Sequence, residues 1–131
     1  MKKLSPLRSV KKKQDFKRVF NKGKYAANPL FVVYALANEL GENRLGLSVS
    51  KKVGCAVVRN RIKRLMRENC RLMLSGQAYE QSQAYDMVIV ARVPAGQLAR
   101  EEAFARVKDS LGRLFGKLGL QALELQRKPN P

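Results

Sequence analysis

The sequence predicts an α+β fold: a small, mostly antiparallel sheet packed with helices, in the order α-β-β-α-β-α. Two observations carry this. Segments whose apolar residues alternate, or that are rich in β-branched and aromatic residues, are interleaved with segments whose apolar residues recur at helical spacing. The chain of 131 residues, 45% of them apolar, suits one compact domain with a core of its own. Residues 1–118 are read as that domain and residues 119–131, which end in "QRKPNP", as a partly disordered tail.

The elements follow in order. "KKQDFKRVFNK" (12–22) reads as a short helix ended by Gly23, with Phe16, Val19 and Phe20 on one face. "PLFVVYALAN" (29–38) is a strand by its β-branched and aromatic content. In "NRLGLSVSKK" (43–52), Leu45, Leu47 and Val49 alternate with Gly46, Ser48 and Ser50, the pattern of a half-buried strand. The short link between these two strands predicts that they pair antiparallel. A helix follows over 56–74, then a polar loop (75–84) and a third strand, "YDMVIVAR" (85–92). Residues 93–118 give a last helix. Glu101 and Glu102 stand near its start, where acids suit the helix dipole, and Phe104, Val107, Leu111 and Leu114 form its core stripe.

The charge is out of the ordinary. Lys and Arg number 27 against 10 Asp and Glu, a net +17. Such a field repels itself, so a polyanionic partner is expected. Residues 1–79 hold 19 basic and 4 acidic side chains, net +15, and residues 80–131 hold 8 and 6, net +2. The partner should therefore meet the first two thirds of the chain. No apolar run approaches the ~20 residues of a membrane span. The basic N-terminus lacks the apolar core of a signal peptide, so the expected location is the cytoplasm. There is no histidine, which removes histidine bases and histidine-containing zinc sites. On one helix Cys55 and Cys70 would lie about 22 Å apart at about 1.5 Å per residue, so both are read as reduced.

On a helical wheel of residues 57–73, Val58, Ile62, Leu65, Met66, Leu72 and Met73 gather on one side. Asn60, Lys63, Arg64, Arg67 and Arg71 gather opposite, with Arg59 and Arg61 at the edges. Solvated helix faces usually mix signs, because like charges cost a few tenths of a kcal/mol per pair. This face is almost all of one sign, which points to nucleic acid. Arginines can fork onto phosphates, and the Asn60 amide can both donate and accept, toward a 2′-hydroxyl, a base edge or a metal-bound water.

The stretch "GLSVSKKVGCAVVRNRIKRLMRE" (46–68) resembles the signature of the bacterial ribonuclease P protein subunit. Its core is Arg59-Asn60-Arg61 followed by Lys63-Arg64 and Arg67. The similarity extends to "DFKRVFNKGK" (15–24), "FVVYAL" (31–36) and residues 88–95, and covers about residues 8–115. Cys55 departs from it, standing where the family would have asparagine. The resemblance implies a ribosomal-protein S5-like fold with a left-handed β-α-β crossover, against the general right-handed rule. It implies that the 56–74 helix docks on a catalytic RNA subunit, one protein per RNA, with Lys51, Lys52, Arg59, Asn60, Arg61, Lys63, Arg64, Arg67 and Arg71 as contacts.

Phe16, Phe20 and Tyr34 read as core on spacing alone. Yet Lys17, Arg18 and Lys22 surround the first two, and rings beside cations suit stacking on unpaired bases. The resemblance makes Phe16, Lys17, Phe20 and Tyr34 a cleft for the single-stranded 5′ leader of precursor tRNA, with Ser48, Ser50 and Arg92 as further contacts. The ten carboxylates form no tight cluster of the kind a two-metal nuclease needs. The resemblance resolves this: the RNA subunit would do the chemistry with Mg²⁺, bound mainly by RNA, and no catalytic residue or metal ligand is expected in the protein. Two other functions compete. A ribosomal protein would share the basic α+β character but has no need of a leader cleft. A protein-only nuclease is disfavoured by the missing histidine and dispersed acids.

Overall fold

A computed structural model describes residues 7–74 and 83–120. The elements are β1 (Arg8–Ser9), α1 (Lys13–Lys22), β2 (Lys24–Ala27), β3 (Phe31–Asn38), β4 (Arg44–Ser48), α2 (Ala56–Leu74), β5 (Ala84–Ala91), a 3-10 turn (Val93–Gln97) and α3 (Arg100–Leu118). They form one five-stranded sheet in the order β1-β4-β5-β3-β2. The expected tail beyond Leu120 and most of the 75–84 loop lie outside the described residues.

The expected β3–β4 hairpin is not formed. β5 lies between the two strands, antiparallel to β3 over eight residue pairs and parallel to β4 over five. The reason is burial. Asp86, Met87, Val88 and Ile89 of β5 are all buried, so both faces of this strand are covered. A strand of that kind gains most at the centre of a sheet, where it has a neighbour on each side. β4, which alternates, takes a place nearer the edge. Two short strands were not foreseen. β1 pairs parallel with β4, and β2 pairs antiparallel with β3, directly after Gly23 ends α1. A Cβ at Gly23 would stand 2.7 Å from the carbonyl oxygens of Ala35 and Val19, so only glycine lets the chain turn this closely from α1 onto β3.

One face of the sheet meets α2 and α3. Phe31, Val33 and Ala35 of β3 and Met87 and Ile89 of β5 pack there with Ile62, Met66 and Cys70 of α2 and Val107, Leu111, Leu114 and Phe115 of α3. Two expected core residues are outside it: Leu72 is 65% and Phe104 40% exposed. Leu72 diverges from the centre of the α2 apolar face, where Asn69 and Cys70 are buried instead. Phe104 lies in the first turns of α3, with neighbouring Ala103 turned inward in its place. The segment read as one helix over 93–118 is a 3-10 turn and then α3.

The other face carries α1, which lies against β3 and β5. Register puts Val32, Tyr34 and Leu36 of β3, Asp86, Val88 and Val90 of β5, and Arg44, Gly46 and Ser48 of β4 on this face. Val19 and Val88 are fully buried beneath the helix. Because α1 is only ten residues long, it leaves part of this face uncovered.

Candidate nucleic-acid interface

Two surfaces bring the sequence-predicted residues together. The first is the outer side of α2. Asn60, Arg64, Arg67 and Arg71 are exposed at spacings of four, three and four, opposite the buried Ile62, Met66 and Asn69. Lys63 and Arg61 are half-buried at the two edges. Arg59 is partly used within the fold, where its Nη1 donates to the Gly54 carbonyl at 2.9 Å. Lys51 and Lys52 are exposed on the turn that leads into α2. That turn is built by Ser50, whose carbonyl accepts from Val53 N–H at 3.0 Å and whose hydroxyl accepts from Lys52 N–H at 3.3 Å.

Cys55 directly precedes α2 and is exposed. Hydrogen bonds from the backbone N–H groups of Val58 and then Val57 hold its thiol below the usual cysteine pKa, with Arg59 adding to the effect. The sulfur thus occupies a capping role that an asparagine side chain would also fill. Cys70 is buried, and burial pushes its thiol well up. Both cysteines are free thiols.

The second surface is an aromatic cleft between α1 and the sheet. Phe16 and Phe20 have ring centroids 6.4 Å apart. Phe20 meets Tyr34 edge-on at 4.8 Å and 86°. Tyr34 in turn lies 5.7 Å from Tyr25 of β2, which is its direct cross-strand partner. These rings are not a closed core: Phe20 is 40% and Tyr25 65% exposed. Phe16 is half-buried because its ring sits over Gly46, where a Cβ would come within 2.6 Å of Cζ. Half-buried Val32, Val90 and Ser48 continue the same face beyond the rings. Lys17 is exposed on α1, and Ser50 lies past the end of β4, set off from the rings. Arg92 is exposed just after β5, its Nη1 donating to the Asn28 carbonyl at 2.9 Å. Tyr25 is the residue that sequence reasoning missed. The signal was available only to a reader who paired "KYAA" with β3, since the pairing sets Tyr25 opposite Tyr34.

A buried charge network anchors α1. Asp86 accepts from Arg44 Nε at 2.8 Å and Nη2 at 2.7 Å, from Asn38 Nδ2 at 2.7 Å and from Arg18 Nη2 at 3.4 Å. Asp15 bridges Arg18 at 3.3 Å and Arg44 at 3.6 Å. Burial alone pushes the Asp86 carboxyl up, but the Arg44 and Asn38 hydrogen bonds, with the charges of Arg44 and Arg18, outweigh it and hold the pKa below the ordinary value. Arg44 is correspondingly raised, first by its hydrogen bond to Asp86.

The two surfaces meet at the β1–β4 edge. A groove there is lined by Phe16 and Gly46 on one side and by Lys63, Arg67 and Arg71 on the other.

Comparison with known proteins identifies the family. The family model described as "Ribonuclease P" matches residues 4–119. The chain belongs to the ribonuclease P protein family. It is 46% identical over 114 residues to the ribonuclease P protein component of Caldanaerobacter subterraneus subsp. tengcongensis, covering 87% of this chain and 91% of that protein. It is 47% identical over 112 residues to that of Exiguobacterium sibiricum, covering 85% and 90%. Among solved structures, the Staphylococcus aureus ribonuclease P protein superposes with a TM-score of 0.73 at 36% identity, covering 88% of this chain and 98% of that one. The Thermotoga maritima ribonuclease P protein in complex with 1-(4-fluorophenyl)-2-thiourea gives 0.67 at 28%, covering 92% and 99%.

Among the described residues the donor set does not fit a protein-held Mg²⁺. Asp15 and Asp86, which share Arg18 and Arg44, are both engaged by guanidinium groups. Among the described residues no three carboxylates or cysteines gather as a metal would need. Among those same residues no helix is long and apolar enough to cross a membrane.

Proposed function

We propose that this member of the ribonuclease P protein family works as the protein component of the holoenzyme that removes the 5′ leader of precursor tRNA. The α2 stripe, with Lys51 and Lys52 before it, docks on the catalytic RNA subunit. The cleft of Phe16, Phe20 and Tyr34, with Lys17 at its rim, holds the single-stranded leader. Ser48 and Arg92 meet the leader at the cleft's margin, while Ser50 contributes through the turn it builds. RNA carries out the cleavage with Mg²⁺ that RNA itself binds. The protein's contribution is positional: its cations offset the repulsion between two RNA backbones, and its rings favour the form of the substrate that has an unpaired strand.

One observation carries this reading. The chain presents two surfaces of different chemistry that adjoin at one groove, a helix face of one charge sign and a ladder of partly exposed rings in a cleft. A ribosomal protein needs only the first. Bases stack on aromatic side chains for about 1–3 kcal/mol each, so exposed rings are functional where they would otherwise be a liability. The test is reconstitution with an RNA subunit. The holoenzyme should bind precursor tRNA more tightly than mature tRNA, and Tyr34→Ala should reduce that difference. A chain that copurifies with ribosomal RNA and leaves precursor binding unchanged would reject the reading.

A further inference from the structure

The aromatic ladder does not end where the expected cleft ends. Tyr25 extends it across the sheet to β2, an edge strand. With 65% of its surface exposed, the Tyr25 ring gives the fold little burial energy. Tyrosine is common in strands because it packs on a half-covered surface, but this ring is turned onto another exposed-side ring, Tyr34, at an interplanar angle of 32°. The two rings are tilted rather than stacked, and the exposure of Tyr25 leaves its ring accessible to one more planar group.

The ladder also has a direction. Its Phe16 end opens into the groove whose opposite wall is Lys63, Arg67 and Arg71, and so adjoins the basic stripe of α2. Its Tyr25 end lies three strands away, past β5 and β3 from β4, a span of about 14 Å at about 4.8 Å per strand. If the RNA subunit is seated on α2, the scissile bond lies on that side. The leader must then enter the cleft from the β4 edge and leave over the β2 edge.

We propose that Tyr25 is a further leader-binding residue, stacking on a nucleotide farther from the cleavage site than those met by Phe16, Phe20 and Tyr34, so that leader nucleotides are read in the order Phe16 to Tyr25 with distance from that site. This rests on the leader-cleft reading above. It extends that reading by a stacking position on β2 and a strand polarity across the sheet.

The experiment is a set of precursor tRNAs with leaders lengthened one nucleotide at a time, bound to holoenzymes carrying Phe20→Ala, Tyr34→Ala or Tyr25→Ala. The exposure of Tyr25 means that its truncation should leave folding and RNA-subunit assembly intact. The expected result is staggered. Phe20→Ala and Tyr34→Ala lose affinity once the leader reaches the cleft, whereas Tyr25→Ala matches wild type for those short leaders and loses about fivefold or more only when further nucleotides are added. A Tyr25→Phe variant should restore the long-leader affinity, because the ring face is what stacks. A loss in Tyr25→Ala that appears at the shortest leaders, ahead of Phe20→Ala, overturns the polarity. No loss at any length, with Phe20→Ala still showing one, overturns the role of Tyr25 and leaves the cleft standing. No leader dependence in any of the three removes the cleft and this proposal together.

Discussion

Asp86 and Arg44 form a bidentate pair on neighbouring strands, with Nε at 2.8 Å and Nη2 at 2.7 Å from the two carboxylate oxygens. The carboxylate is 1% exposed, and Arg18 of α1 reaches the same group. This pair therefore does two things: it joins β4 to β5 and, through Arg18 and Asp15, it ties α1 to the sheet. Hydrophobic contact of Val19 alone would hold α1 down without fixing its slide. The forked guanidinium geometry is directional.

Removing one partner of such a pair should be costly. Asp86→Ala leaves Arg44 with the longer Asp15 contact at 3.6 Å and removes the charged acceptor of its two short hydrogen bonds, and is expected to lose about 1.5–3 kcal/mol of stability. The loss should follow pH in a defined way. The Asp86 pKa is lower in the folded protein than in the unfolded chain, so its stabilising contribution is full above the unfolded value, about 3.9, and is lost as pH falls through the lower folded value. Urea unfolding of both proteins should show a constant gap above about pH 5 that narrows below about pH 4. A gap that stays constant to pH 2 would refute the assignment.

The α2 stripe makes a separable prediction. Asn60, Arg64 and Arg67 oppose the core face, so their joint replacement by alanine should leave thermal unfolding within about 1 kcal/mol of wild type. Affinity for the RNA subunit should fall, and the dependence of log affinity on log salt should flatten by about 0.7–0.9 for each phosphate contact removed. Ile62→Ala is the contrasting variant: this fully buried residue should cost about 2–5 kcal/mol of stability, with the salt slope unchanged in the folded fraction.

Why some of this was legible in sequence and some was not follows from the range of the interactions. The α2 bounds and both of its faces could be read from Val58, Ile62, Met66 and the basic residues between them, because helical periodicity is local. β3 and β5 were legible for the same reason. The partner of each strand was not: alternation tells which side of β4 is buried but not that β5 lies next to it. The short β1 and β2 strands exist only because longer strands offer them an edge. Leu72 and Phe104 keep helical spacing yet miss the core, since periodicity does not say where a helix outruns its neighbours. Asp86 stood in an apolar run, "YDMVIVA", which marks a buried charge in need of a partner, but Arg44 and Arg18 could be named only once β4 and α1 were placed around it. Phe20 and Tyr34, on different elements, became neighbours by the same packing.

The cleft itself is tested by discrimination. Phe20→Ala and Tyr34→Ala should each reduce holoenzyme affinity for precursor tRNA by about 1 kcal/mol, with affinity for mature tRNA nearly unchanged. The quantity to measure is the ratio of the two, since specificity is a difference of affinities. If the rings served only the fold, both RNAs would be affected alike, and melting temperature would fall in proportion.

Gly46→Ala offers a test that leaves every ring in place. The added methyl would stand 2.6 Å from Phe16 Cζ and 2.8 Å from Cε1, with the Val10 Cβ at 3.3 Å closing the other side. The Phe16 ring has to lift away from β4, because the sheet backbone beneath it cannot move while β5 holds β4 in register. Overpacking of this kind costs about 1–3 kcal/mol, which a one-domain protein can bear. Lifting Phe16 narrows the mouth of the cleft where it adjoins Lys63 and Arg67. Precursor binding should therefore weaken, including for precursors with short leaders, while the salt slope for RNA-subunit binding stays as in wild type because no phosphate contact is touched. Combining Gly46→Ala with Phe16→Ala should recover part of the lost stability, since the truncated side chain leaves room for the methyl. A double variant that is less stable than the Gly46→Ala single variant by the full cost of Phe16→Ala would show that the two residues do not share this space.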